Sequence, residues 1–219
     1  VKFGVVRFPG SCDEVDAQLA CERVGEAVIL WHGDDDLQGV DAVVVPGGFS
    51  YGDYLRPGAI ARFAPIMQSV AAFAADGGLV LGICNGFQVL CEAGLLPGAL
   101  LPNVNLRFRF RQVGLDLVDP DTPFTRACAR GVRLSVPAKH ASGRYFAPDP
   151  AAVRVVLRYA PGENPNGSVD DIAGVCNAAG NVFGLMPHPE HAVDALGGSV
   201  DGLQIFASMR DHVRSPSPA

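Results

Sequence analysis

Residues 79–90 read LVLGICNGFQVL. LVLGI is a continuous apolar run, the mark of a strand buried on both faces, and residues 85–93 read as a helix. Between them stands Cys84, with Gly82 two residues before it and Gly86 two after. A cysteine that only filled a core would need no glycine on either side. A nucleophile at the tip of a sharp strand-to-helix turn does, because the residues two before and two after it crowd each other. The helix that begins there aims unpaired N–H groups and its positive end at the sulfur, which favours the reactive thiolate. A buried cysteine in a tight turn is the competing reading of this segment alone.

The flanking sequence repeats the strand-and-helix alternation. Apolar runs at 2–8, 27–31 and 40–46 predict further strands. Residues 13–24 predict a helix, with Gly25 placed for its C-cap. Phe63, Ile66, Met67, Val70 and Phe73 recur at helical spacing. The pattern predicts an α/β fold: a doubly wound, mostly parallel sheet with helices on both faces. The second half differs. RFRFRQVGLDLV, VRLSVPA and VRVVLRYA read as strands between Pro- and Gly-rich loops, and GVCNAAGNVFGLM as two strands turning around Ala179, Gly180 and Asn181. These are expected as antiparallel additions to the parallel core. Leu203, Phe206, Met209 and Val213 share one face of a last helix. The expectation is one domain over 1–214 and a frayed tail over 215–219.

Composition narrows the function. Of 219 residues, 48% are apolar and 18% charged, which describes a core-rich globular chain. A net charge of −6 argues against a nucleic-acid partner, which would call for clustered Lys and Arg. No apolar stretch approaches the roughly 20 residues of a membrane span, and the first residues do not read as a signal peptide. The six cysteines, at 12, 21, 84, 91, 128 and 176, include no C-x-x-C pair. Neither a zinc site nor a disulfide framework is expected, and a reducing cytoplasm fits best.

A thiolate needs a proton shuttle, and the chain has five histidines. His32 and His212 lie near a loop and the C-terminus, where a solvated ring is expected. His188 follows the strand NVFGLM within MPHPEH, so it emerges at a strand end, where open α/β sheets place their active sites. Glu190, two residues on, can accept from the imidazole and stabilise its charged form. The prolines on both sides stiffen that loop. A Pro-rich surface turn is the alternative. Further upstream, VVVPGG puts Gly47 and Gly48 directly after a buried strand, leaving backbone N–H groups free to form an oxyanion hole. A phosphate cradle would compete for that role, but the chain carries no G-x-x-x-x-G-K-[ST].

PGG, G-x-C-x-G-x-Q and P-H-P-E, in that order, resemble the triad-type glutamine amidotransferases. GGFSYGDYLRPGAIARFAP, NPNGSVDDIAGV and GNVFGLMPHPE resemble, more specifically, the glutaminase subunits of phosphoribosylformylglycinamidine synthase, an enzyme of purine biosynthesis. The match runs from FPGS to DGLQIF. The resemblance implies Cys84 as nucleophile, His188 as acid and base, Glu190 as its orienting partner, the N–H groups of Gly48 and Asn85 at the oxyanion, and Gln88 against glutamine. It also implies an ATP-using synthetase partner, which employs ATP and magnesium, and a small third subunit. No cofactor or metal is expected in this chain. Three departures stand out. His191 occupies a position that is commonly Arg in the family, KHASGRY replaces an A-H-G-E-G-like segment, and PGSCDEVD replaces a PGSNCD-like one.

The alternatives are an amidotransferase serving GMP, anthranilate or carbamoyl phosphate synthesis, a non-catalytic adaptor on the same fold, and a stand-alone cysteine hydrolase. His140 reads as a satisfied structural or interface residue. Arg107, Arg109 and Arg111 alternate, so on a strand they share one face. That face is either solvated or a docking surface.

Overall fold

The computed structural model describes residues 1–215. Its strands β1 (Lys2–Arg7), β2 (Glu26–Trp31), β3 (Ala42–Val45), β4 (Leu79–Ile83) and β11 (Val182–Leu185) pair in parallel in the order β2-β1-β3-β4-β11. The same sheet continues antiparallel through β10 (Ile172–Cys176), β9 (Arg154–Tyr159), β6 (Arg109–Leu117) and β7 (Leu134–His140). The chain leaves β1 in one direction for β2 and in the other for β3 and β4. With right-handed crossovers that reversal sends α1 (Glu14–Glu22) and α2 (Pro65–Ala75) to opposite faces. A separate two-stranded sheet, β5 (Ala99–Leu101) with β8 (Arg144–Phe146), was not expected from the sequence.

Every residue of β3, β4, β10 and β11 is buried, which accounts for their unbroken apolar runs. The turn between β10 and β11 falls where the sequence placed it, with Gly180 left-handed at φ +82 and donating its N–H to the Asn177 carbonyl at 3.1 Å. α3 (Asn85–Glu92) begins directly after Cys84.

Several local expectations need correction. α2 starts at Pro65, with Ala64 extended before it as a residue preceding proline must be. Phe63 therefore lies in the preceding 3₁₀ turn, exposed, under the Arg62 guanidinium. Gly25 is no left-handed cap: α1 closes at Arg23, and glycine is required at 25 because a Cβ would overlap the Val1 carbonyl. On α4 (Leu203–Arg214) the buried stripe is Ile205, Phe206 and Met209, with Leu203 only half-buried. Arg107 precedes β6, so only Arg109 and Arg111 share a strand face. Of the tail expected over 215–219, residues 216–219 lie outside the described residues.

The carboxyl ends of β1, β3, β4 and β11 lead respectively to Asp13, Gly47, Cys84 and His188. Open parallel sheets present their crevice at that end.

Candidate active site

Strand order is kept up to the sulfur: the Cys84 N–H still donates to the Leu185 carbonyl at 2.8 Å. Cys84 itself adopts φ +50 and ψ −103, a conformation that a side chain adopts only when its surroundings enforce it. A Cβ at Gly82 would stand 2.9 Å from the Gly86 backbone, the crowding expected across the turn. At Gly86 the reason differs, since a Cβ there would overlap the Val45 carbonyl of β3. The second glycine lets α3 approach the neighbouring strand. Cys84 is 7% exposed, and its thiol is 3.7 Å from the Lys139 carbonyl.

β11 lies beside β4, and His188 emerges from it with its N–H on the Pro137 carbonyl of β7 at 2.8 Å. The turn Pro189–His191 then folds Glu190 back, so that Oε1 lies 2.6 Å from His188 Nδ1. Both side chains are buried. Nδ1 is thereby committed to the carboxylate. Nε2, which makes no other hydrogen bond, remains for the pocket that His188 shares with Cys84. Burial opposes the charged ring, but Glu190 and the Cys84 sulfur outweigh it and raise the His188 pKa to about 10.

Gly47 and Gly48 close the other side. A Cβ at Gly47 would stand 2.8 Å from His188 Cε1. Gly48, at φ +142, pairs with Ser11 in a short antiparallel bridge. The bridge bonds run from Cys12 N–H to the Gly47 carbonyl and from Phe49 N–H to the Gly10 carbonyl, which leaves the Gly48 N–H out of the ladder. As the first residue of α3, Asn85 has no intrahelical acceptor for its N–H. Its side chain is fixed, accepting from Ser50 N–H at 3.1 Å and donating to Gln88 Oε1 at 2.9 Å. Gln88 in turn donates to the Ser142 carbonyl at 2.6 Å and lines the pocket.

Asp13 was not singled out in the sequence. It is buried, accepts from Lys139 Nζ at 2.5 Å, and stands 3.7 Å from His188 Nδ1 and 3.4 Å from His191 Nε2. Burial would raise its pKa; His191, His188 and Lys139 instead hold the carboxyl well below the usual range. Its position just beyond β1 at the carboxyl edge was the available signal. Asp13, His188, Glu190 and His191 bring ligand atoms within 4.8 Å of one another, close enough to hold a cation. In this arrangement Lys139 and the His188 ring already serve those carboxylates.

The cavity between these walls measures about 190 Å³, below the roughly 300–1,000 Å³ of drug-sized sites, and it suits a small molecule. His140 lines it, buried, with Nε2 on the Asn166 amide at 2.9 Å and a buried Nδ1 that has no partner. The structural role expected for it is thus half satisfied. Burial first, and the charge of His188 second, lower its pKa to about 3. The solvated rings expected at 32 and 212 are both half-buried, and His32 is hydrogen-bonded to the Tyr51 hydroxyl at 2.6 Å.

A CobB/CobQ-like glutamine amidotransferase domain matches residues 1–210. The phosphoribosylformylglycinamidine synthase subunit PurQ of Rubrobacter xylanophilus is 60% identical over 95% of this chain and 97% of its own. The chain belongs to the PurQ family. The PurQ subunit of Mycobacterium tuberculosis is 58% identical over 97% of each chain. Among solved structures, PurLQS from Thermotoga maritima superposes with a TM-score of 0.92 at 46% identity, covering 97% of this chain and 98% of that one. As a PurQ family member, the chain is a glutamine amidotransferase, the glutaminase subunit of phosphoribosylformylglycinamidine synthase.

Proposed function

We propose that Cys84, His188 and Glu190 carry out the glutaminase half-reaction and that the ammonia is passed to a synthetase partner. One observation carries the reading: a strained cysteine at a strand-to-helix turn and a buried His–Glu pair open onto one small cavity. With its pKa raised, His188 holds its proton beside the Cys84 thiolate. The thiolate attacks the side-chain amide carbon of glutamine. The N–H groups of Gly48 and Asn85 receive the oxyanion, each such donor being worth about 2.7–4 kcal/mol. His188 Nε2 protonates the amide nitrogen, the C–N bond breaks, and ammonia leaves a γ-glutamyl thioester. The neutral ring then takes a proton from water, hydroxide attacks the thioester, and glutamate departs with the thiolate and imidazolium restored. Gly47 makes room for His188, and Gln88 fixes the pocket floor on which glutamine rests.

The partner we propose is an ATP- and magnesium-using synthetase subunit, with a small third subunit; the similarity to PurLQS of Thermotoga maritima supports this reading. The apolar side chains of Phe49 and Phe108 line the cavity and are half exposed, and Tyr54, Leu55, Leu106 and Phe110 are exposed near them in sequence. We assign these exposed apolar side chains at the cavity mouth to that synthetase; Arg109 and Arg111 alternate with Phe110 along β6 and so lie on the other face of the strand. A cytoplasmic setting agrees with six free cysteines, and among the described residues no helix is long and apolar enough to cross a membrane.

Cys84→Ser in the assembled complex tests this. Glutamine-dependent synthesis should fall on the order of 10⁴-fold or more, while synthesis from added ammonium salt persists. Retained glutamine-dependent synthesis would identify another nucleophile.

A further inference from the structure

The cavity contains a carboxylate that the reaction above leaves unused. Asp53 ends the turn Ser50–Asp53, in which Tyr51, Gly52 and Asp53 are all left-handed, at φ +54, +70 and +55. Left-handed backbone at non-glycine residues costs roughly 1–2 kcal/mol each, so the surrounding structure enforces this turn. The turn brings Asp53 into the cavity wall with Cys84, Gly48 and Gln88. Among the described residues its side chain accepts one long hydrogen bond, from Asn85 Nδ2 at 3.4 Å, an amide already donating to Gln88 at 2.9 Å.

What Asp53 lacks is a cation. The ion pairs of the described residues do not include it, and the cavity's one lysine, Lys139, is held by Asp13 at 2.5 Å. Burial alone pushes the Asp53 carboxyl up to about 6. A half-buried carboxylate without a counter-ion, in the wall of a substrate cavity, calls for a positively charged ligand group.

Glutamine brings one. Its α-nitrogen is four bonds from the amide carbon, about 5 Å in an extended chain. Asn85, whose amide reaches Asp53, is the residue next to Cys84. Cys84 and Asp53 line the same cavity of about 190 Å³, so a glutamine with its amide carbon at the sulfur can turn its amino end to this carboxylate.

We propose that Asp53 binds the α-ammonium group of glutamine and so selects a free α-amino acid over amides whose amine is absent or blocked. The inference rests on Cys84 being the nucleophile. Losing one charge-assisted hydrogen bond corresponds to about a 10- to 100-fold change in affinity.

The test follows modification of Cys84 in the assembled complex by two reagents. One is a diazoketone analogue of glutamine, which carries the α-amino acid end; the other is iodoacetamide, which does not. Asp53→Asn should slow the analogue by about 10- to 100-fold and leave iodoacetamide within about twofold. An unchanged rate for the analogue would overturn the proposal. So would equal slowing of both reagents, because Asp53 would then act only by shaping the turn. A measurement on the unmutated complex is independent of how the variant folds. Glutamine should protect Cys84 from iodoacetamide far better than 5-amino-5-oxopentanoate, which is glutamine without its α-amine, and equal protection would overturn the proposal. If neither reagent modified Cys84 ahead of the other cysteines in the unmutated complex, the nucleophile assignment would fail first.

Discussion

The two halves of the sheet meet at one cavity but build it differently. In the parallel half each contributor follows the carboxyl end of a strand: Asp13 after β1, Gly47 and Gly48 after β3, Cys84 after β4, His188 after β11. Two of the approaches there are close: a Cβ at Gly86 would overlap the Val45 carbonyl of β3, and one at Gly47 would meet the Asp13 carboxylate and the His188 ring. In the antiparallel half the wall comes from the end of β7 and the loop beyond it, through Lys139, His140, Ala141 and Ser142. A Cβ at Gly114 of β6 would meet the Arg133 side chain, which is half exposed and can move. At Gly86 the obstacle is fixed backbone, whereas at Gly114 it is a side chain that can move.

The largest effect expected from breaking this contrast is at Gly86. Gly86→Ala must push α3 away from β3 and carry Cys84 with it. A displacement near 1 Å is enough to cost about 10²-fold in glutaminase rate, and overpacking of this kind costs about 1–3 kcal/mol in stability. Gly114→Ala should cost under about 1 kcal/mol and leave the rate within about twofold. Urea unfolding and a glutaminase assay on both variants give the comparison. Equal losses would show that the two halves are packed alike.

The same contrast explains what could be read from the sequence. Backbone constraints leave glycines at fixed spacing, so LGICNG disclosed the strand-to-helix turn and PGG the close-packed glycines at the cavity wall, and unbroken apolar runs disclosed the strands buried on both faces. The pairing of His188 with Glu190 was legible because a single residue, Pro189, separates them. Contacts between distant segments leave no such trace. Asp13 and Lys139 are 126 positions apart, and nothing local to either marks the other as its partner. Asp53 was hidden because its conformation is imposed by the turn; Asp after Gly is unremarkable in a loop. The left-handed cap expected at Gly25 failed for a related reason: its N–H bonds back to the Cys21 carbonyl of the helix at 2.9 Å, but the need for glycine comes from Val1, across the fold.

Asp13 and Lys139 join the two halves, so Asp13→Asn gives an intermediate effect. The substitution leaves Lys139 without its counter-charge. Because that side chain is 28% exposed, the loss should be about 1–3 kcal/mol, less than for a fully buried pair. The pH dependence identifies the cause. Asp13 has a folded pKa below its ordinary 3.8, so its stabilisation is complete above that value and is lost as pH falls below it. The stability gap between the unmutated chain and Asp13→Asn should hold steady from pH 7 to about 5 and close in stronger acid. A gap that widened in acid would mean that the carboxylate is not held by the cations around it.

The smallest effect at neutral pH is expected at His140, on the antiparallel side. Its folded pKa of about 3 lies below the ordinary 6.5, so the unfolded chain binds more protons here between those values. Stability from this residue is therefore complete above 6.5 and is lost as pH falls toward 3. His188 has the opposite shift, raised to about 10: its share is complete below 6.5 and is lost as pH rises through 10, so it is silent in acid. Asp53, raised to about 6, gains stability as pH falls from 6 toward 3.8 and partly offsets His140 in the unmutated chain. Comparison with a variant removes that offset. His140→Gln keeps an acceptor for the Asn166 amide and cannot titrate, so stability plotted between pH 6.5 and 4 should slope less steeply, by up to about 1.4 kcal/mol per pH unit. At pH 7 the two proteins should unfold at nearly the same urea concentration. Parallel acid slopes would mean that His140 protonates freely in the folded chain, and that the antiparallel wall admits water where the parallel side does not.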